Sequence, residues 1–288
     1  VTGTLLPALT GHGPILPLAA LVVAGGLVFV LASRLTAQAD VIANTTSLGG
    51  VWAGSLVLAG ATSLPEILTD VNAALMDAPD IGVGDLLGST LANLLILAVL
   101  DLRVRGGRLL HSVGEQHARV AVLGAVLTAM AGVAIAGGGW GRLGHVGLDT
   151  VAIAAVYVGA MRLLYRSRRR SGAGSRAPAL PSPARLTRPL GGIGLATAGL
   201  ALVTPVLVRS ADALANETGV SEAFVGTLLV GVATSFPELA ATMAVACIGL
   251  ATVAMRSKVA GARSRRLESV LIVLVYVLGL WTLSRLTP

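Results

Sequence analysis

The sequence predicts an all-α polytopic membrane protein of about eight transmembrane helices, with an inverted-topology repeat whose second copy is truncated. Three observations carry that prediction. The chain is 55% hydrophobic and only 12% charged, with a mean hydropathy of +0.84, whereas soluble domains carry about 25% charged residues. Its basic residues gather in alternate loops. One short motif, Thr-Ser-x-Pro-Glu, recurs inside two apolar stretches, at 62–66 and 234–238.

The apolar stretches fall at 15–33, 48–76, 81–100, 120–136, 146–164, 190–208, 223–255 and 270–283. Most approach the roughly 20 residues that a spanning helix needs. The fifth is interrupted by Asp149 and starts beside glycines, which leaves its outer edge open. The seventh would be ~50 Å long as one helix. That exceeds a hydrocarbon core, so a kink at Pro237 and a protruding inner end are expected.

Orientation follows from charge. Arg34, then Arg103, Arg105, Arg108 and Arg119, then the basic residues of 162–188 and of 256–266 all fall in alternate loops. Of 21 Lys and Arg, only Arg142, Arg209 and Arg285 fall on the other side. This positive-inside pattern places both termini outside the cytoplasm of a cell membrane. It also sets arginines against anionic lipid headgroups, which accounts for the net charge of +7 without a nucleic-acid partner. The one cysteine, Cys247, excludes an internal disulfide and a cysteine metal cluster. The first apolar run lacks a basic n-region and reads as a span, not a cleavable signal. The first residue is Val, which suggests a non-standard start codon or a trimmed chain. No H-E-x-x-H, G-x-S-x-G or P-loop is present, so an enzyme is not expected.

The Arg-, Ser-, Pro- and Ala-rich stretch 166–189 reads as a flexible cytoplasmic linker. It divides a five-span half, 1–165, from a three-span half, 190–288. At a constant offset Gly54 aligns with Gly226, Leu56 with Leu228, and Ala61, Thr62, Ser63, Pro65 and Glu66 with Ala233, Thr234, Ser235, Pro237 and Glu238. The basic loops run the two copies in opposite directions, the inverted-repeat design of secondary transporters.

The motif has a physical logic. Pro65 and Pro237 lack an N–H and clash with the preceding turn, so both helices should kink or break there. A break frees carbonyls that only a cavity or an ion can satisfy at membrane depth. Thr62, Ser63, Thr234 and Ser235 add hydroxyls, and Glu66 and Glu238 add charge. A carboxylate within a membrane helix is costly and marks function, and this oxygen set suits a hard cation such as Ca²⁺ or Na⁺. After the first copy, Ser89 and Asn93 share one helix face and extend the site, while Gly84 and Gly88 allow close helix packing. Asp77 and Asp80 read as a solvated turn on the outer side rather than a cation attractor, and Asp70, one turn beyond Glu66, as an outer-vestibule residue, with a substitute carboxylate for the site as its alternative reading.

These residues resemble the sodium/calcium exchanger (calcium:cation antiporter) family. The resemblance rests on G-A-T-S-L-P-E at 60–66, D-I-G-V-G-D-L-L-G-S-T-L-A-N at 80–93 and A-T-S-F-P-E at 233–238. It covers a first α-repeat at 48–100 and a partial second at 221–245. It implies that Glu66 and Glu238 are central cation ligands, that Thr62, Ser63, Thr234 and Ser235 give backbone or hydroxyl oxygens, and that Ser89 and Asn93 join from the neighbouring helix. It further implies exchange of Ca²⁺ against Na⁺ or H⁺ by alternating access, with no cofactor. Departures are Ala61 and Ala233 in place of Gly, Asp85 in place of Asn, and Thr90 in place of Asn. No G-x-x-G-S-x-x-x-[ND] follows the second core; the offset instead maps Ser89 and Asn93 onto Gly261 and Arg265 of a basic loop. A non-transporting, degenerate or truncated relative is therefore the alternative reading, and a homodimer whose chains complete each other's site is a third.

Overall fold

Ala, Leu, Val and Gly fill the apolar stretches, and in lipid such a run satisfies its backbone only as helix or closed barrel. The computed structural model describes residues 9, 11, 13–46, 58–103, 115–144, 146–170 and 186–236, and these are helical almost throughout. The helices are α1 (Ile15–Thr46), α2 (Leu64–Leu75), α3 (Pro79–Arg103), α4 (Glu115–Ala136), α5 (Leu148–Arg170), α6 (Thr187–Thr218) and α7 (Glu222–Phe236). Among the described residues, Ile15–Ala43, Pro79–Val99 and Thr187–Thr218 are long and apolar enough to cross a membrane; Val120–Ala136 and Glu222–Phe236 are shorter apolar helices. The stretch 270–283 and the basic loop 256–266 lie outside the described residues.

The chain divides into two units, 1–107 with 177–288, and 108–176. In the first, α1 buries Leu21, Ala24, Val28, Leu35 and Ala39. Successive members fall on one helix face. This face packs along α6 through Ala196, Leu200, Leu207, Val208 and Ala211. Gly199 permits the close approach, since a Cβ there would lie 2.9 Å from Leu31 Cδ2. The far side of α1 leaves Val22, Val23 and Leu27 exposed, as expected where the remaining neighbour is lipid.

Two tight turns set the helices around the motif. Between α2 and α3, Met76 N donates to Asn72 O and Ala78 N donates to Ala73 O, with Asp77 in the left-handed region at φ 57°. This is the usual helix stop in which one residue reverses hand, here an exposed Asp in place of Gly. Asp77 lies in this turn and Asp80 in the first turn of α3, both exposed. Between α6 and α7, Gly219 (φ 69°) donates to Ala215 O, and Ser221 Oγ accepts from Phe224 N at 3.2 Å, capping α7. Residues 226–230 of α7 form a π-helical turn, Gly226–Val230, a local widening that recurs at functional sites. The edge-to-face pair Phe29–Phe236, with ring centroids 6.1 Å apart, ties the end of α7 to α1.

The second unit is a helical hairpin. Gly138 and Gly139, both at positive φ, end α4, and a two-residue antiparallel bridge pairs Arg142 with Gly147 and Leu143 with Val146 before α5 begins. This short bridge, absent from the all-α expectation, supplies the outer edge that Asp149 and the nearby glycines left open: the helix starts at Leu148. At the stretch read as a linker over 166–189, α5 continues through Arg170 and α6 begins at Thr187; residues 171–185 lie outside those described.

Candidate ion site

The first core breaks as its proline requires. Residues 58–62 are helical, Ser63 is a turn and α2 starts at Leu64. Ser63 N donates to Ala59 O at 3.0 Å and Ile67 N to Ser63 O at 3.1 Å. Pro65 has no N–H to offer the carbonyl of Ala61, four residues back. The helix that follows is inside-out. Its buried residues are Pro65, Glu66, Thr69 and Ala73, whereas Ile67 is 53% and Leu75 77% exposed. A carboxylate turned inward and leucine turned outward is the arrangement of a helix whose solvent is lipid. Thr69 Oγ1 donates back to Pro65 O at 2.8 Å. Asn72 reaches across to α6, donating from Nδ2 to Thr204 Oγ1 at 3.0 Å and to Leu68 O at 2.7 Å.

Helix α3 repeats the pattern. Ile81, Gly84, Asp85, Gly88, Ser89 and Ala92 are buried, while Val83, Leu86, Asn93 and Leu94 are exposed. The glycines of that face meet α7 backbone to backbone. A Cβ on Gly84 would lie 2.6 Å from Ala223 O, one on Gly226 2.5 Å from Ile81 O, and one on Gly231 2.8 Å from Gly88 Cα; one on Gly88 would overlap the backbone of Thr227. No side chain larger than hydrogen fits these four positions without moving backbone.

That contact delivers the second core to the first repeat. Thr234, wholly buried, donates from Oγ1 to Asp85 Oδ1 at 2.9 Å, with Val230 O and Gly231 O each 3.2 Å away as alternative acceptors. Ser235 is buried beside it, and its Oγ has no hydrogen-bond partner. Asp85 is 0% exposed. Its carboxyl group faces that of Asp70 and lies within the electrostatic reach of Glu66, itself only 8% exposed. Three acidic side chains of the first repeat and two hydroxyls of the second core thus stand in one neighbourhood.

The residues singled out by sequence divide accordingly. Glu66, Thr234 and Ser235 are buried at this place, and Ser89 is buried on the same face of α3, its Oγ donating to Leu86 O at 3.2 Å. Thr62 is half-buried and turns its hydroxyl to Ala59 O at 3.1 Å. Ser63 and Asn93 are exposed. Glu238 and Pro237, with the kink expected there, lie outside the described residues. Asp85 was legible only as a departure from a motif, and Asp70 as a vestibule residue with a substitute carboxylate as the alternative. The available signal was helical spacing: Asp70 is one turn from Glu66, and Asp85 one turn from Ser89. Among the described residues no three His, Cys, Asp or Glu stand close enough to hold a metal by themselves, so a cation here would also need hydroxyl and carbonyl oxygens.

A sequence profile described as "Sodium/calcium exchanger protein" matches residues 16–161 and 188–264, well over half of the chain. The chain belongs to the sodium/calcium exchanger family. Both motif cores lie within the matched segments. The exchanger is also similar to the inner membrane protein YrbG of Escherichia coli strain K12, at 28% identity over 234 residues that cover 80% of this chain and 70% of that protein. No solved structure matches it significantly. Family membership makes the exchanger a membrane-embedded secondary transporter of the antiporter type, not an enzyme. It also gives the inside-out faces of α2 and α3 their reason, since a transported ion needs polar groups inside and lipid needs apolar groups outside.

Proposed function

We propose that the exchanger moves Ca²⁺ against Na⁺ or H⁺ by alternating access, through a site where the two Thr-Ser-x-Pro-Glu cores meet. The observation that carries this reading is the Thr234–Asp85 hydrogen bond, which joins positions 149 apart in sequence inside an otherwise apolar helix bundle. Glu66 and Glu238 supply charge to the cation, and Thr234, Ser235 and Ser89 supply neutral oxygens; Asn93, exposed on α3, is not assigned a ligand role. Because the Thr62 hydroxyl is turned onto its own helix and the Ser63 carbonyl accepts from Ile67 N, the first core contributes mainly the carbonyl that Pro65 leaves free, that of Ala61. The arrangement is an inverted repeat of about eight spans with both termini outside the cytoplasm, supported by the alternating arginines. Inorganic cations and membrane lipids are its partners.

The test is Ca²⁺ uptake into proteoliposomes containing the full chain, with an outward Na⁺ gradient and then an outward H⁺ gradient. Uptake driven by one of the two gradients, and reduced at least roughly a hundredfold in Glu66→Gln, is expected, because a buried ligand that loses its charge leaves the ion under-compensated. Gradient-independent leakage, or uptake equal in Glu66→Gln, sinks this reading. A second reading rests on the sequence that follows the second core, where no G-x-x-G-S-x-x-x-[ND] occurs: a non-transporting relative, or a homodimer in which each chain completes the other's site. A correctly inserted chain without uptake favours the former; uptake confined to the dimer fraction favours the latter.

A further inference from the structure

The second repeat lacks the Ser and the Asn or Asp that the first repeat offers from α3. The structure shows carboxylates from the first repeat in a position to compensate. Asp85 is completely buried, and its Oδ1 is engaged by Thr234 of the second core. Its Oδ2 is buried with no hydrogen-bond donor. Asp70 Oδ1, from the neighbouring helix, is likewise buried with no donor, and the two carboxyl groups face each other. Gly82 keeps this approach open: a Cβ there would lie 3.6 Å from Asp70 Oδ1 and 3.3 Å from Ala73 Cβ. Two neighbouring carboxyl groups in an apolar interior repel when both are ionised, unless a proton or a metal cation stands between them. Among the described side chains no Lys or Arg stands there: Arg34, Arg188 and Arg209 lie on the helices packed around the pair, and none acts on either carboxyl group.

We infer that Asp85 and Asp70 form a cation-binding pair for a hard cation of Ca²⁺ or Na⁺ size, standing in for the oxygen ligands that the second repeat does not carry. This inference rests on the transport reading above for the identity of the cation, though not for the existence of the site. Asp85 Oδ2 and Asp70 Oδ1 are the ligand atoms. Thr234 holds the Asp85 carboxyl group in place through Oδ1, so the second core positions a first-repeat ligand. The ion site is then asymmetric, with its charge concentrated on α2 and α3.

The experiment is Ca²⁺- and Na⁺-dependent thermal stabilisation of the purified full chain in detergent, with ⁴⁵Ca²⁺ binding on the same samples, for wild type, Asp85→Asn and Asp70→Asn. Asn at position 85 still accepts from Thr234, so the fold is kept while the charge is lost. The expected result is a half-saturating Ca²⁺ concentration raised roughly tenfold or more in each variant, because affinity follows ligand charge count. The ion-free melting temperature should be unchanged or higher, because a buried repulsion has been removed. A merely structural carboxylate predicts the opposite: a lower ion-free melting temperature with the ion-dependent shift intact, and that result overturns the inference. So does a wild-type chain that binds neither ion. Ion binding by wild type without transport in proteoliposomes removes the transport reading and leaves the site. Transport with wild-type ion dependence in Asp85→Asn removes the site and leaves the transport reading.

Discussion

At the scale of single residues, several hydroxyls in this protein are turned back onto their own helix, while a few reach another helix. Thr90, Ser210 and Thr218 donate to carbonyls four residues earlier, at 2.8, 2.8 and 2.7 Å, which satisfies a hydroxyl at membrane depth without a partner helix. Thr204 does something else. It is fully buried on α6, one residue before Pro205, and accepts from Asn72 of α2. Thr204→Val keeps the shape and deletes that acceptor, while the Asn72 amide retains Leu68 O. The expected cost is about 0.6 kcal/mol and at most ~2 kcal/mol, the range of interhelical hydrogen bonds in membrane proteins. It is read as a lowered melting temperature in detergent; an unchanged or raised value would show that Asn72 is content with its own helix.

At the scale of elements, the crossing of α3 with α7 is the contact on which the site depends. Gly84, Gly88, Gly226 and Gly231 interleave so that peptide groups touch, and backbone cannot yield as a flexible side chain can. Gly88→Ala is therefore expected to destabilise by roughly 3 kcal/mol or more, separating Thr234 from Asp85 and abolishing ion-dependent stabilisation. Gly26→Ala on α1 is the control: nothing lies within 4 Å of a Cβ there, and Ala should raise helix stability by up to ~1 kcal/mol. Equal melting temperatures for the two variants would refute the backbone crossing. The same contact separates what the sequence discloses from what it withholds. Glu66 and the break at Ser63 were legible because a proline and a carboxylate inside an apolar run have local consequences. Gly84 and Gly88 were legible as small residues at helical spacing. Their partners were not, because Gly226 and Gly231 come from the other repeat and no local rule pairs them. Asp85 was misweighted for the same reason: its meaning lies in Thr234, and periodicity along α3 cannot show that. The π-helical turn at 226–230 has no sequence signature beyond a glycine in an apolar run.

At the scale of the whole molecule, the decisive property is orientation, because the inverted repeat proposed above would present its two cores to opposite sides of the membrane. Orientation is read from the distribution of arginines, and the α4–α5 hairpin makes it testable with two residues. Trp140 follows the glycines that end α4 and is 47% exposed. Ser167 lies near the end of α5 among Arg166, Arg168, Arg169 and Arg170. The two are joined by one helix of 23 residues, Leu148–Arg170, which at 1.5 Å per residue is ~35 Å long and able to cross a hydrocarbon core. Positive-inside orientation therefore places Trp140 outside and Ser167 in the cytoplasm. The chain's single cysteine is removed as Cys247→Ala, and Trp140→Cys or Ser167→Cys is introduced. In intact cells a membrane-impermeant maleimide should then label position 140 and spare position 167 until the cells are broken. The reverse pattern would invert the whole assignment. Labelling of both in intact cells would show that α5 does not span, and with it the count of about eight spans would fall, because the five-span first half requires that helix to carry the chain back to the arginine-rich side.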